Sequence, residues 1–268
     1  MPHSQIRKAY ADCSAGQIHY RYLASDNGNT PIVWLHQTAS SSAMYIKVME
    51  HLNGIAPMYA LDTPGFGGSF DAEDMPSMSQ FSSWLLEAID DIGIGEFHAF
   101  GHHTGACLVA EMATKCPGRL KSAMMIGPLP LTKDEREEFR QHFSTPMSPN
   151  TSGTYLQQTW DYLAELGADH ELELHHRELL DTVRAYMGRY KAYSSVWDQD
   201  FTALYKQIDC PLFIMCAEDD VLWPFFSRAQ EIRPDAKHLT IRGANFEPDL
   251  DALGVANGVA DFLKGLSK

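Results

Sequence analysis

Apolar positions along the 268-residue chain fall into two regimes. Near the amino end, β-patterned runs at Ile6 to Cys13 and Gln17 to Leu23 flank Ser14-Ala15-Gly16, which predicts an antiparallel hairpin at a sheet edge. From Pro31 onward, short apolar runs alternate with longer helix-compatible segments. The runs are Pro31 to Leu35, Ala56 to Leu61, Phe97 to Phe100, Leu120 to Ile126, Pro211 to Cys216 and Leu239 to Ile241. Such alternation predicts an α/β fold, a mostly parallel central sheet with helices on both faces.

Between Leu131 and about Leu204 the strand signal stops. Helix-compatible segments take over, broken at Pro146, at Pro149-Asn150-Thr151-Ser152-Gly153 and near Gly167. This divides the chain into a core of residues 1–130 and 205–268 and a helical cap insertion of residues 131–204. The insertion is rich in aromatic residues, among them Tyr155, Trp160, Tyr162, Tyr186, Tyr190, Tyr193 and Trp197. Each either lines a pocket over the sheet or packs the cap against it, and for most of them packing is the expectation. Trp160, with Trp223 from the core, is expected in the substrate pocket.

The charge balance narrows the choice of partners. With 21 basic and 35 acidic residues, the formal charge of -14 disfavours nucleic acid and anionic membrane surfaces and leaves a small-molecule substrate. Five scattered cysteines, Cys13, Cys107, Cys116, Cys210 and Cys216, form no CxxC pair, so neither a disulfide framework nor a zinc site is indicated. The opening Met-Pro-His-Ser-Gln lacks a basic region followed by an apolar run, and no stretch approaches the roughly 18 apolar residues of a membrane span. A soluble, cytoplasmic protein is expected, of a size that commonly folds as one domain with an insertion. The pattern leaves its oligomeric state open.

Candidate chemistry centres on Phe97-His98-Ala99-Phe100-Gly101-His102-His103-Thr104-Gly105-Ala106, which runs from a strand through a glycine-bracketed turn into a helix starting near Thr104. A turn this sharp needs glycine where neighbouring side chains would clash. Further landmarks follow in order: Leu35-His36-Gln37-Thr38, then Asp62-Thr63-Pro64-Gly65-Phe66-Gly67-Gly68-Ser69, then Ala217-Glu218-Asp219-Asp220-Val221-Leu222-Trp223-Pro224. Together they resemble the α/β-hydrolase superfamily over nearly the whole chain outside the insertion. In that resemblance Gly-His-His-Thr-Gly stands at the nucleophile elbow with His103 in the serine's place, and Asp220 stands at the triad acid. The backbone amides of Thr104 and of Gln37 or Thr38 stand at the oxyanion hole, although Gln37 replaces a glycine of the family. The final landmark departs again. Where the family shows Gly-His-Phe, this chain reads Gly243-Ala244-Asn245-Phe246-Glu247, and no histidine follows His238, so Asn245 takes the catalytic histidine's position.

The aspartate of the serine mechanism is therefore present without either partner. One account is a dead elbow on a ligand-binding protein. The other is relocation: an imidazole on the elbow reaches toward the space the missing histidine leaves and pairs with Asp220, directly or through Asn245. His103 then serves as a general base without a cofactor. It either activates water for hydrolysis of an ester, lactone, amide or carbon–carbon bond, or removes a substrate proton in a lyase, isomerase or cofactor-free dioxygenase. A histidine nucleophile is less favoured, because an acyl-imidazole hydrolyses readily.

Other residues carry weaker expectations. His102 is divided between pocket wall and core, and His36 between the pocket and a structural hydrogen bond to its turn. Asp220 also suits a helix N-cap before Pro224. The pair His175-His176 reads as surface. Glu247 either supplies the missing acid–base function from a loop folded inward or, with Asp249 and Asp251, belongs to a solvated acidic loop, the second being the expectation. A metal site from His36, His102 and His103 is disfavoured because adjacent elbow residues point apart. Gly65-Phe66-Gly67-Gly68 lacks the dinucleotide spacing.

Overall fold

The computed structural model describes residues 6–145 and 147–266. Met1 to Gln5 and the break at Pro146 lie outside them. Eight strands form one sheet: β1 Arg7–Cys13, β2 Gly16–Leu23, β3 Ile32–Leu35, β4 Met58–Leu61, β5 Phe97–His102, β6 Leu120–Ile126, β7 Leu212–Ala217 and β8 Lys237–Ile241. Their spatial order is β1-β2-β4-β3-β5-β6-β7-β8. The opening hairpin pairs antiparallel, with Cys13 opposite Gly16, and β2 meets β4 antiparallel. Every other pairing is parallel.

The helices are α1 Ile46–His51, α2 Met78–Asp91, α3 Thr104–Lys115, α4 Lys133–Phe143, α5 Thr154–Glu165, α6 Leu172–Arg184, α7 Tyr186–Asp198, α8 Phe201–Lys206, α9 Trp223–Ile232, α10 Glu247–Leu250 and α11 Ala252–Leu266. Alternate residues of each central strand feed opposite faces of the sheet, as the period of two dictates. Val33, Leu35, Ala99, Met125 and Ile214 join a core with α2, α3, α8 and α9. Ile32, Trp34, Phe100, Met124 and Met215 join another with α1 and α11. Burial on both faces is why these strands read as continuous apolar runs. The edge strand β8 is exposed at four of its five positions, beginning with Lys237 and His238. No helix among the described residues is long and apolar enough to cross a membrane.

The turn after β4 shows what its glycine-rich motif does. Asp62 Oδ2 accepts from the Gly68 amide at 2.8 Å and contacts His19 Nδ1 at 2.7 Å, while Oδ1 accepts from the Ser42 amide at 2.6 Å. A Cβ on Gly67, which sits at φ +50°, would fall 2.0 Å from Asp62 Oδ2. The motif is thus a knot that ties β2, the Ser40 to Ser42 loop and β4 together, and its serine is consumed in it. Ser69 Oγ accepts from the His19 amide and donates to the Asp62 carbonyl.

Among the described residues from β6 to β7, the regular elements are helices α4 to α8 and a short helical turn at Ala168–His170. Helix α4 opens on a full capping box, with Thr132 Oγ1 accepting from the Glu135 amide and Glu135 reaching back to the Thr132 amide. Helix α7 meets the β4 turn through two glycines: a Cβ on Gly188 would lie 2.3 Å from the Gly65 carbonyl oxygen. Gly188 stands in the first turn of α7, where the missing Cβ permits the close approach.

Candidate active site

The loops at the carboxyl ends of β3, β5, β6, β7 and β8 converge on one pocket, at the point where the strand order reverses between β3 and β5. Gln37 and Thr38 follow β3, His103 and Thr104 follow β5, Leu222 follows β7, and Asn245 follows β8. Helices α4 to α7 supply the opposite wall, with Phe143, Tyr162, Glu178, Arg189 and Tyr193 among its residues.

The elbow is built as a strained turn. His103 sits at φ 47°, ψ -104°, a region that residues with a Cβ rarely occupy, at the N-cap of α3. The flanking glycines make this possible. A Cβ on Gly101 would lie 2.2 Å from the Gly105 carbonyl carbon, and one on Gly105 would lie 2.0 Å from the Leu35 carbonyl oxygen. Thr104 is the first residue of α3, so its amide is among the helix N-terminal donors that have no intrahelical acceptor.

His103 Nε2 lies 2.7 Å from Asp220 Oδ2, with the histidine side chain 13% exposed and the aspartate side chain fully buried. The contact is direct, and Asn245 does not bridge it. Asp220 also holds its own loop, because Oδ1 accepts from the Leu222 amide at 2.6 Å. The pairing expectation is met and the N-cap expectation is not: α9 begins at Trp223 with Leu222 as its N-cap and no side-chain cap, so the Oδ1 bond closes a turn in the loop before the helix. The Nε2 edge of the ring packs on Gly127, where a Cβ would meet His103 Cδ2 at 2.3 Å. That leaves Nδ1 without a hydrogen bond among the described residues, on a side chain that lines the pocket. In the neutral tautomer that donates to Asp220, the proton is on Nε2 and the lone pair on Nδ1.

Beneath the elbow lies a second histidine–carboxylate pair. His102 Nε2 is 3.0 Å from Glu247 Oε2, both side chains fully buried, without the alignment of a hydrogen bond. Burial first, and then His103, hold His102 well below the usual histidine range. Burial, and then Asp220, push the Glu247 carboxyl well above the usual carboxylate range. Burial thus disfavours the charged form of each member of this pair.

Several sequence expectations are corrected here. His102 belongs to the core and not to the pocket, because the strand turns it down onto Glu247. His36 is also behind the wall: Nδ1 contacts the Gln37 carbonyl at 2.6 Å and Nε2 accepts from the Thr63 amide at 2.9 Å, which fixes the neutral tautomer. It cannot join His102 and His103 around a metal. Among the described residues the potential ligand set is His102, His103 and Asp220, within 4.8 Å of one another. Two of its atoms, His103 Nε2 and Asp220 Oδ2, already engage each other.

Trp160 is stacked on His175, ring centroids 3.5 Å apart, and His175 bonds the Trp160 carbonyl, so neither the pocket role of the one nor the surface role of the other holds. His176 is exposed. Trp223 packs on Phe226 at 5.5 Å, outside the pocket. The acidic loop is not solvated either: Glu247 lies under the elbow, Asp249 takes both nitrogens of the Arg177 fork at 2.8 and 2.7 Å, and Asp251 accepts from the Arg242 and Gly254 amides.

Sequence reasoning missed the polar wall on α6 and α7. Glu178, fully buried, accepts from Ser40 Oγ at 2.8 Å and pairs with Arg177 Nη2 at 2.5 Å. Asp181 accepts from Ser41 Oγ at 2.7 Å. Helix α6 is thereby fastened to the loop that carries Gln37 and Thr38, and Tyr193 of α7 donates to the Thr38 carbonyl at 3.1 Å. Thr104 Oγ1 donates to Thr38 Oγ1 at 2.9 Å, which joins the two amide-bearing turns. Apart from Arg177 beside Glu178, no local motif announces these contacts, since each remaining partner stands over 60 residues away.

Burial, with Glu178 beside it, pushes the Asp181 carboxyl up to about 7. Its folded value lies above its unfolded value, so the folded chain is favoured below about pH 4 and loses that advantage as pH rises to about 7. Asp181→Asn removes the titration. It is expected to stabilise the chain at pH 8 by about 1–3 kcal/mol and to change little at pH 4. Thermal unfolding across that range checks this, and parallel wild-type and variant curves would show that Asp181 does not titrate there.

The chain belongs to the alpha/beta hydrolase fold family, whose profile matches residues 30–224. Over 193 residues it is 21% identical to an (E)-2-((N-methylformamido)methylene)succinate hydrolase of Acinetobacter baylyi, covering 71% of this chain and 72% of that protein. Over 121 residues it is 24% identical to a dihydrolipoyllysine-residue acetyltransferase component of the acetoin cleaving system of Cupriavidus necator. That match covers 45% of this chain and 32% of the other, and two further curated relatives are covered over only 41% and 43% of their length. Among solved structures, the enol-lactonase from Burkholderia xenovorans superposes with a TM-score of 0.78 at 17% identity, over 96% of this chain and 100% of that one. Epoxide hydrolase A from Mycobacterium thermoresistibile gives 0.77 at 17% identity, over 97% and 99%. These structures share the fold.

Proposed function

We propose that the chain is a cofactor-independent hydrolase acting on an ester, lactone, amide or carbon–carbon bond of a small, largely apolar carbonyl compound, with His103 as general base and no acyl-serine. The observation that carries this reading is the 2.7 Å contact of His103 Nε2 with Asp220 Oδ2, which leaves Nδ1 as the basic atom at the pocket. Nδ1 takes a proton from a water, the oxygen attacks the substrate carbonyl, and Asp220 stabilises the imidazolium that forms. The amides of Thr104 and of Gln37 or Thr38 hold the oxyanion. The proton then passes from Nδ1 to the leaving group. Helices α4 to α7 act as the cap that excludes bulk water.

One further point supports the serine-free route. Ser40, Ser41 and Ser69 are bonded to Glu178, Asp181 and the Asp62 turn, and none of the three hydroxyls bonds an imidazole among the described residues. The hydrolytic reading also draws on the relative named as an (E)-2-((N-methylformamido)methylene)succinate hydrolase. The same base at Nδ1 would equally serve a lyase or a cofactor-free dioxygenase that begins by proton abstraction.

Turnover in heavy-oxygen water separates these routes. One solvent oxygen in the product is expected. Product free of solvent oxygen would move the assignment to proton abstraction, and no turnover across a broad carbonyl panel would leave a ligand-binding protein. A fluorophosphonate probe is expected to leave every serine unlabelled, and labelling at Ser40, Ser41, Ser42 or Ser69 would overturn the serine-free route.

A further inference from the structure

Arg189, on α7, is 2% exposed and lines the pocket that His103 lines. A buried guanidinium ordinarily has a carboxylate on it, because its charge is costly to remove from water. Arg189 has none among the described residues. Its Nη1 donates to the Thr145 carbonyl at 2.8 Å, and its charge lies over the rings of Tyr162 and Tyr193, 5.3 and 5.0 Å from their centroids. Nε and Nη2 make no hydrogen bond among the described residues. The other ionisable group on that wall, Glu178, is already satisfied by Arg177 and Ser40 and does not pair with Arg189. A lining residue of the pocket is thus a buried cation beside two aromatic rings, with two nitrogens of its planar fork unbonded among the described residues.

Taking the pocket as the substrate site, we propose that Arg189 is a specificity-determining residue that binds a carboxylate, so that the substrate is a carbonyl compound bearing a carboxylate group. A guanidinium fork matches a carboxylate with two parallel hydrogen bonds, and the surrounding rings exclude the water that would screen it. Tyr162 and Tyr193 set the plane of the fork. Because Tyr193 also holds the Thr38 carbonyl, the anion is fixed relative to the turn that carries the oxyanion amides.

The test uses benzoate and its uncharged isostere benzamide as probes, titrated calorimetrically into the full chain. Wild type is expected to bind benzoate more tightly than benzamide. Arg189→Gln is expected to weaken benzoate by about ten- to a hundredfold while leaving benzamide within about twofold. Arg189→Lys keeps the charge without the fork and is expected to retain a reduced preference for benzoate, which preserves the test should the glutamine variant fail to fold. Equal affinity of wild type for the two probes, or no binding of either, overturns the proposal. So does an Arg189→Gln variant that binds benzoate as wild type does. His103→Ala is expected to keep the benzoate preference, so loss of turnover and loss of anion binding are separable. Loss of benzoate binding in His103→Ala with its retention in Arg189→Gln would place the anion on the imidazole instead.

Discussion

Replacing His103 by alanine is expected to lower kcat on any ester or lactone the chain turns over by about a hundred- to ten-thousandfold, the range a positioned general base contributes. The drop should fall on kcat more than on KM, since His103 is one side chain in a wall supplied by five loops and four helices. Asp220→Asn is expected to cost nearly as much. An amide side chain can donate to Nε2, which would shift the ring proton to Nδ1 and block the basic atom. Steady-state kinetics on the two variants checks both statements. Full turnover by either would remove the dyad from the mechanism.

The largest effect on stability is expected at Arg177. Its guanidinium pairs with Glu178 at 2.5 Å and Asp249 at 2.7 Å, and both carboxylates are 2% exposed. Arg177→Ala leaves two buried anions facing each other without a cation, and removing one partner of such a group costs about 3–5 kcal/mol. Urea unfolding at neutral pH is the measurement, with an unchanged slope and a lowered midpoint expected. Replacing all three by apolar residues is expected to recover most of the loss, because the cost lies in the orphaned charges. A single Arg177→Ala midpoint close to wild type would show the cluster to be solvated.

The two predictions rest on parts of the chain that were unequally legible in its sequence. The sheet was readable because strands buried on both faces must be apolar throughout, and Leu120–Ile126 appears with the bounds its pattern predicts. The elbow was readable because strand, glycine, turn and helix follow within ten residues, and the steric need for Gly101 and Gly105 is local. The pairing of His103 with Asp220 spans 117 residues and became an expectation only through two substitutions considered together, His103 at the elbow and Asn245 after β8.

What stayed hidden was burial of charge. Glu247, Asp249 and Asp251 in one short stretch look solvated, and nothing nearby reveals that their partners are His102, Arg177 and two backbone amides. Trp160 was placed in the pocket by composition, while its ring was committed to His175 one helix away. Arg189 was invisible for the converse reason, since an arginine within a helical, charged segment reads as exposed until the helix is docked. The glycine before it was the available signal, since Gly188 in the first turn of α7 lies against the Gly65 backbone.

In the proposed mechanism an imidazole on the elbow supplies the base. The measurement that tests it most directly is the rate of the His103→Ala variant as imidazole is added to the buffer. Removing the ring leaves a space beside Asp220 that a free imidazole fits, so the near-inactive variant is expected to regain turnover in proportion to imidazole in its neutral form, with no gain for wild type. A His103→Ala variant that turns over at the wild-type rate without added imidazole would contradict the claim.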